Sequence, residues 1–313
     1  MTLYFGIDIG GTSIKSAVVT DTGEILHKQS IETHPKIGIQ DVCEKLKGVL
    51  LESLSAVDHT YDEVAGVGVG LPGYLDIEHG VIINLPNIGW RNIPFRDVAE
   101  RVFNLPIVMD NDANLAAVGE AWLGAGRGAS TMVLTTVGTG IGGGIVLNQR
   151  LHRGANTMAG EFGHMTVDRN GYQCHCGKHG CLETVASATA MIRRAKELQL
   201  AGQIPYDVVI NGADDIFDLD QNGIAAARQV IHEAAHWLGY GLSLVATTIN
   251  PDMIIVGGGV SKAGDSLLSP IVESFTKYSL PLISQVATIR LAGLGNDAGV
   301  IGAAYMVSQA IDS

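Results

Sequence analysis

FGIDIGGTSIKSAVVT (residues 5–20) reads as a strand, a glycine turn and a returning strand, with Asp8 near the end of the first. Its apolar positions are mostly β-branched, and Gly10-Gly11 interrupt them where a hairpin must turn. The same order returns at VLTTVGTGIGGGIVL (133–147), two apolar runs about a glycine turn. Two such hairpins in one chain suggest two lobes related by duplication. Further short runs at 64–70, 106–110 and 253–258 are bounded by Gly, Asp or Asn and read as strands, several of them buried on both faces. Helical patterns fall near 39–57, 95–104, 112–124, 186–200, 222–249, 264–278 and 298–311. Strands alternating with helices predict an α/β protein with mixed sheets.

The chain has 313 residues, 46% of them hydrophobic and 17% charged, enough for a large buried core in two lobes. Its 40 glycines follow no short period, so they mark turns rather than a collagen repeat. A formal net charge of -12 and the lack of any basic run argue against nucleic acid as a partner. The most apolar stretch, GLSLVATTI, breaks at Asn250-Pro251, too short to span a membrane. The opening MTLYFGIDIGG has neither the charged nor the apolar region of a secretion signal. Four cysteines, three of them within 174–181, do not make a disulfide framework, and a reducing, cytoplasmic setting is expected.

The glycine turns are the first functional signal. In DIGGTSIK, Gly10 and Gly11 expose backbone N–H groups that can point at phosphate oxygens, because no Cβ blocks the approach. Thr12 adds a hydroxyl, Lys15 follows, and Asp8 is a carboxylate suited to Mg²⁺. The spacing matches neither GxxxxGK[ST] nor a GxGxxG that opens a helix. One such loop alone reads better as a plain hairpin turn. Gly138, Thr139 and Gly140 form a second turn, and Gly257, Gly258 and Gly259 form a third after strand MIIV, at the strand end where α/β sheets hold ligands. Three glycine turns at strand ends favour nucleotide binding.

Asp110, Asn111 and Asp112 stand where the strand PIVMD passes into the helix NDANLAAVGEAW. Helix capping accounts for one of them. Two carboxylates and an amide in three residues exceed what a cap needs. Glu161 and His164 lie three apart, and Glu183 follows the cysteine cluster. His164, Cys174, Cys176 and Cys181 give H-x₉-C-x-C-x₄-C. Three thiolates with one imidazole make the closed tetrahedral set of structural Zn²⁺, although C-x-C is tighter than the usual pair spacing. His175 and His179 are rivals for the imidazole, and a thiol redox switch is the alternative reading of the cluster. Cys43, alone in a helical pattern, reads as buried.

Together, DIGGTSIK, the second loop with its downstream GEFGH, and CHCGKHGC resemble the ROK family of bacterial sugar kinases and repressors, over essentially the whole length from 3 to about 310. GIGGGI, eight residues, Gly154 and then Gly160-Glu161-Phe162-Gly163-His164 follow the family's signature spacing. NGYQCHCGKHGCLETVAS is most similar to the family's glucokinases. The repressors carry a helix-turn-helix before the first lobe; with the first strand at about residue 3, none is expected here.

The resemblance implies a two-lobed, actin-like (ribonuclease H-like) fold with a zinc-binding loop. Residues 1–118 would form a small N-terminal lobe, completed by a C-terminal helix over 299–313, and 119–298 a large lobe with the zinc site and dimer surface. It implies an ATP-dependent kinase acting on the 6-hydroxyl of a hexose, glucose first, as a homodimer, with Mg²⁺ and ATP held between the lobes by both glycine loops. Asp112 is then the catalytic base. Asn111, Asp112, Glu161, His164 and Glu183 would contact the sugar, as would Gly73 and Asn87, although for Gly73 a turn after Pro72 serves equally well. Trp90 reads as packing rather than a stacking platform. The resemblance also assigns the fourth zinc ligand to His164. With one ring nitrogen on zinc, the other must present its N–H outward, where a sugar hydroxyl can accept it. Rival substrates within the family are N-acetylmannosamine, N-acetylglucosamine and other hexoses. A sugar-sensing regulator without catalysis is the reading from another class.

Overall fold

The computed structural model describes residues 1–33, 38–85 and 88–311. The chain forms two compact units, Met1–Gly128 with Leu151–Ala159 and Asn296–Ser313, and Ala129–Arg150 with Gly160–Gly295.

The first unit opens with the predicted hairpin. β1 (Leu3–Ile9) and β2 (Ser13–Thr20) pair antiparallel from Leu3↔Thr20 to Ile9↔Ile14. β3 (Ile25–Glu32) adds antiparallel to β2, helix α1 (Ile39–Ala56) follows, and β4 (Val64–Leu71) pairs parallel with β1. A small meander, β5 (Tyr74–Asp76), β6 (Val81–Leu85) and β7 (Trp90–Ile93), precedes α2 (Phe95–Phe103). β8 (Ile107–Asn111) then pairs parallel with β4 and runs straight into α3 (Asp112–Trp122). The main sheet has the order β3-β2-β1-β4-β8.

The second unit repeats this plan. β9 (Thr131–Val137) and β10 (Ile141–Leu147) form the second glycine hairpin, with the short β11 (Arg150–Leu151) beside β10. The helices α4 (Glu183–Ala186), α5 (Ala188–Leu200), α6 (Ala213–Gln221) and α7 (Ala225–Ile249) follow. β12 (Met253–Gly257) lies parallel to β9. After α8 (Asp265–Tyr278) and α9 (Pro281–Ser284), β13 (Thr288–Leu291) lies parallel to β12. In each unit an antiparallel glycine hairpin is thus continued by two parallel strands, as duplication predicts.

The last helix, α10 (Ala298–Ile311), returns to the first unit. Strand alternation in β1 explains why it fits there. Leu3, Phe5, Ile7 and Ile9 join the core with Leu46, Leu50 and Phe103, while Tyr4 packs on the opposite face with Val300, Ala304 and Val307. On that second face the contact is backbone to backbone. A Cβ on Gly6 would come within 2.1 Å of the Val300 carbonyl oxygen, and one on Gly68 within 2.0 Å of that of Ala303. Asp8 shares this face, so the start of α10 stands over its carboxylate: a Cβ on Gly299 would lie 3.2 Å from Asp8 Oδ2.

The structure corrects some expected boundaries. The first unit continues to Gly128 rather than stopping at 118, because α3 runs unbroken through that point, and it also takes in Leu151–Ala159. The helix expected over 186–200 is α5, which starts at Ala188, since Ser187 adopts an extended conformation and its side chain caps α5 through the Ala190 N–H. The helix expected from 222 starts at Ala225, after the Asn222-Gly223 turn. β3, the meander, β13 and α6 go beyond the predicted runs; β3 is an edge strand with alternating exposure and little apolar signal. Among the described residues no helix is long and apolar enough to cross a membrane.

Candidate active site

In the first unit the β8–α3 junction gathers Asp110, Asn111 and Asp112. Asn111 is the N-cap of α3, its Oδ1 accepting from the N–H groups of Ala113 (2.9 Å) and Asn114 (3.2 Å). Asp112 is the first helical residue, where the positive end of the helix dipole faces its charge, and its Oδ1 accepts from the Ala113 N–H at 2.9 Å. Asp110 is fully buried and differs from both. Its Oδ1 accepts from the Asn111 N–H (2.8 Å) and from Asn114 Nδ2 (2.9 Å), and its Oδ2 accepts from Arg153 Nε at 2.7 Å. The three side chains therefore divide the work. Asp110 anchors the turn, Asn111 caps the helix, and Asp112 presents a half-buried carboxylate.

The same unit holds the first glycine loop. Gly10 N–H donates to the Ser13 carbonyl (2.9 Å), and Thr33 braces the loop by donating from Oγ1 to the Gly10 carbonyl (2.8 Å) and from its N–H to the Thr12 carbonyl (3.1 Å). Gly11 and Thr12 are exposed at its tip. Asp8 and Lys15 are direct cross-strand partners. Burial pushes the Asp8 carboxyl up, and Lys15 opposes that shift. A half-buried carboxylate beside an exposed glycine turn suits a divalent cation that accompanies phosphates.

In the second unit the Gly138–Gly140 turn is held from behind by α5, the Gly138 carbonyl accepting from the Ala188 N–H (2.9 Å) and the Thr139 carbonyl from Thr189 Oγ1 (2.7 Å). The third turn sits against it. Gly258 has φ +85°, and a Cβ there would lie 2.4 Å from the Val137 carbonyl oxygen, so only glycine fits. Gly257 pairs with Thr136, and Gly259 is exposed.

The four residues expected to bind zinc lie together. One donor atom from each of His164, Cys174, Cys176 and Cys181 lies within 4.8 Å of all the others. His164 Nδ1 is 3.5 Å from Cys174 Sγ, and Cys176 Sγ is 3.6 Å from Cys181 Sγ. Zn–S bonds of about 2.3 Å and Zn–N bonds of about 2.0–2.1 Å give tetrahedral edges of roughly 3.5–3.8 Å. The donors fit zinc. His175 and His179 are exposed and lie outside this group. Burial, then a hydrogen bond to Glu183 at 2.8 Å, push the Cys174 thiol up, so a metal must displace its proton. Burial pushes the isolated Cys43 thiol up to about 12, which leaves it inert.

His164 faces two ways. Its Nδ1 looks toward Cys174 and lies 3.6 Å from Glu183 Oε1, while its Nε2 lies 3.8 Å from Glu161 Oε2. Burial raises the Glu161 carboxyl, with His164 opposing and Glu183 adding to the rise. Three polar groups therefore crowd one half-buried wall beside the cluster. Gly73 is exposed at φ +92°, where a Cβ would meet the Asn84 carbonyl oxygen at 2.5 Å, so the turn alone requires glycine. Asn87 lies outside the described residues. Trp90, 6% exposed, belongs to the core.

The ROK family model matches residues 4–310. The chain belongs to the ROK family. It is 45% identical to a glucokinase of Halalkalibacterium halodurans, covering 98% of this chain and 95% of that protein. The crystal structure of a Streptomyces griseus ROK glucokinase in complex with glucose and AMPPNP superposes with a TM-score of 0.83 at 36% identity, covering 98% of this chain and 99% of that one. The ROK hexokinase of Thermus thermophilus gives 0.85 at 33% identity over the full length of both chains. The α/β fold described above is the ROK fold.

Within this ROK chain, two residues escape a reading of the sequence. Arg153 sits among unassigned positions of the family signature, and only the fold brings it to Asp110. Thr189 resembles any helix-start threonine until its hydroxyl is seen on the glycine loop. The pattern carries no signal for Arg153. For Thr189, the Ser187 cap is the available hint.

Proposed function

We propose that this chain is an ATP-dependent glucokinase that transfers the γ-phosphoryl group of ATP to the 6-hydroxyl of glucose. Its full-length likeness to a glucokinase, with each chain almost entirely covered, carries this reading. The chemistry of the residues agrees. Phosphoryl transfer passes through a loose transition state, so the protein mainly positions the acceptor and neutralises charge. Asp112 is the carboxylate that takes the proton from the sugar hydroxyl. Asn111 has its Oδ1 committed to the helix cap, so its Nδ2 is the end that donates to the sugar. Glu161, His164 and Glu183 offer acceptors and an imidazole N–H to the remaining hydroxyls.

Gly10, Gly11 and Thr12 in one unit, and Gly138, Thr139 and Gly140 in the other, present backbone donors to the phosphates, with Lys15 and the Gly257–Gly259 turn nearby in their respective units. Asp8 would hold Mg²⁺, which screens the phosphate oxygens when bound. Zinc on His164, Cys174, Cys176 and Cys181 has no open coordination position and serves to shape the sugar wall. The reading includes a homodimer working in the cytoplasm.

A coupled ADP-release assay over a panel of hexoses tests it. The highest kcat/KM is expected for glucose, since discrimination belongs to that ratio. Preference for an N-acetylated hexosamine would move the assignment to that substrate, and no ADP release with any hexose would overturn it.

A further inference from the structure

The segment that leaves the zinc cluster also holds the second glycine loop. From Cys181 the chain passes through Leu182, Glu183 and α4 to the first turn of α5, braced all the way. Thr184 Oγ1 donates to the Cys181 carbonyl (2.7 Å), the Ala186 N–H to the Leu182 carbonyl (3.0 Å), and Ser187 caps α5. Its far end grips the loop twice, through the Ala188 N–H on the Gly138 carbonyl and Thr189 Oγ1 on the Thr139 carbonyl. In a trans peptide the C=O and the N–H point in opposite directions. Turning these two carbonyls toward α5 therefore turns the N–H groups of Thr139 and Gly140 away from it. Two successive N–H groups on one side make a nest for an anion. Glu183 is a second link, with Oε1 2.8 Å from Cys174 Sγ and Oε2 2.8 Å from the place a Cβ on Gly140 would occupy.

We propose that the metal cluster and the Gly138–Gly140 loop form one mechanical unit, and that Thr189 is a positioning residue for the phosphates of the nucleotide. Metal occupancy then sets nucleotide affinity through residues 181–189, in addition to shaping the sugar wall. The inference rests on the kinase reading above.

Calorimetry with Mg·AMPPNP, and separately with glucose, on zinc-loaded wild type, Thr189→Val and Thr189→Ser tests it, with zinc content measured in each. Loss of one exposed hydroxyl-to-carbonyl hydrogen bond is worth about threefold in Kd. Thr189→Val is expected to weaken Mg·AMPPNP by about that factor, while Thr189→Ser stays near wild type and all three keep their zinc and glucose affinity. Wild type stripped of zinc, with folding checked by circular dichroism, is expected to lose at least as much nucleotide affinity. Undiminished nucleotide binding by Thr189→Val, or by folded zinc-free protein, overturns the inference. So does loss of zinc or glucose binding in Thr189→Val, which would mark the threonine as merely structural. Wild type that binds glucose but no Mg·AMPPNP would instead sink the kinase reading, and this inference with it.

Discussion

Arg153 Nε donates to Asp110 Oδ2 at 2.7 Å, and the carboxylate it meets is wholly buried. The same carboxylate takes the Asn111 N–H and the Asn114 amide, so this ion pair sets the turn that aims Asp112. Breaking a buried pair from one side typically costs about 3–5 kcal/mol. Arg153 is itself 30% exposed, which places Arg153→Ala near the lower end. Equilibrium urea unfolding is expected to show a loss of about 3 kcal/mol, with turnover reduced as well. A loss under about 1 kcal/mol, the scale of an exposed pair, would contradict this account.

Asp112→Asn separates chemistry from binding. Turnover is expected to fall by about 10²–10⁴, while glucose binding by calorimetry stays within a few-fold of wild type. Retained turnover would remove Asp112 from the role of base. Asn111→Ala should instead cost about 1 kcal/mol of stability through the lost cap, a penalty Asp112→Asn does not share.

Asp8 links a stability change to a pH dependence. Burial raises its carboxyl in the folded state, so the folded protein holds that proton more tightly than the unfolded chain does. The ionised form therefore costs stability at neutral pH, and the cost fades as pH falls toward and below the ordinary carboxylate range. Asp8→Asn is expected to raise Tm at pH 7 by about 2 °C, with a smaller gain near pH 4, while Mg²⁺-dependent turnover drops. A Tm at pH 7 equal to or below wild type would refute the burial argument.

Zinc content should follow the cluster and not its neighbours. Cys176→Ser and Cys181→Ser are expected to lose the metal by elemental analysis, whereas His175→Ala and His179→Ala keep it. Zinc-free protein should bind glucose about tenfold more weakly, because the His164 ring is no longer held. Normal glucose affinity without zinc would show that the cluster and the sugar wall are independent.

How much of this could be read along the chain differs from element to element. The hairpins β1–β2 and β9–β10 announced themselves, since β-branched runs broken by glycines are a local signal. The His/Cys cluster was legible for a similar reason: three of its four residues lie within 174–181, so spacing and donor type nearly suffice. The choice of His164 over His175 and His179 needed the family resemblance, and in the structure His164 alone of the three stands with the cysteines. Edge strand β3 was not legible, because a half-exposed strand carries little apolar pattern and takes its pairing from neighbours.

From sequence alone came the residue types and their local order: glycines where a backbone must turn, carboxylates where a strand meets a helix, thiolates close enough for one metal. Tertiary structure alone decided which distant groups meet. Arg153 reaches Asp110 only because Leu151–Ala159 packs with the first unit. Asp8 is half-buried under the start of α10, nearly three hundred residues on, only because Gly6 and Gly68 let that helix lie on the sheet backbone. Asn111 became the cap, with Asp112 at the first helical position beside it, once the β8–α3 junction took its shape. Such pairings depend on packing between segments far apart in sequence, and a local pattern carries no record of them.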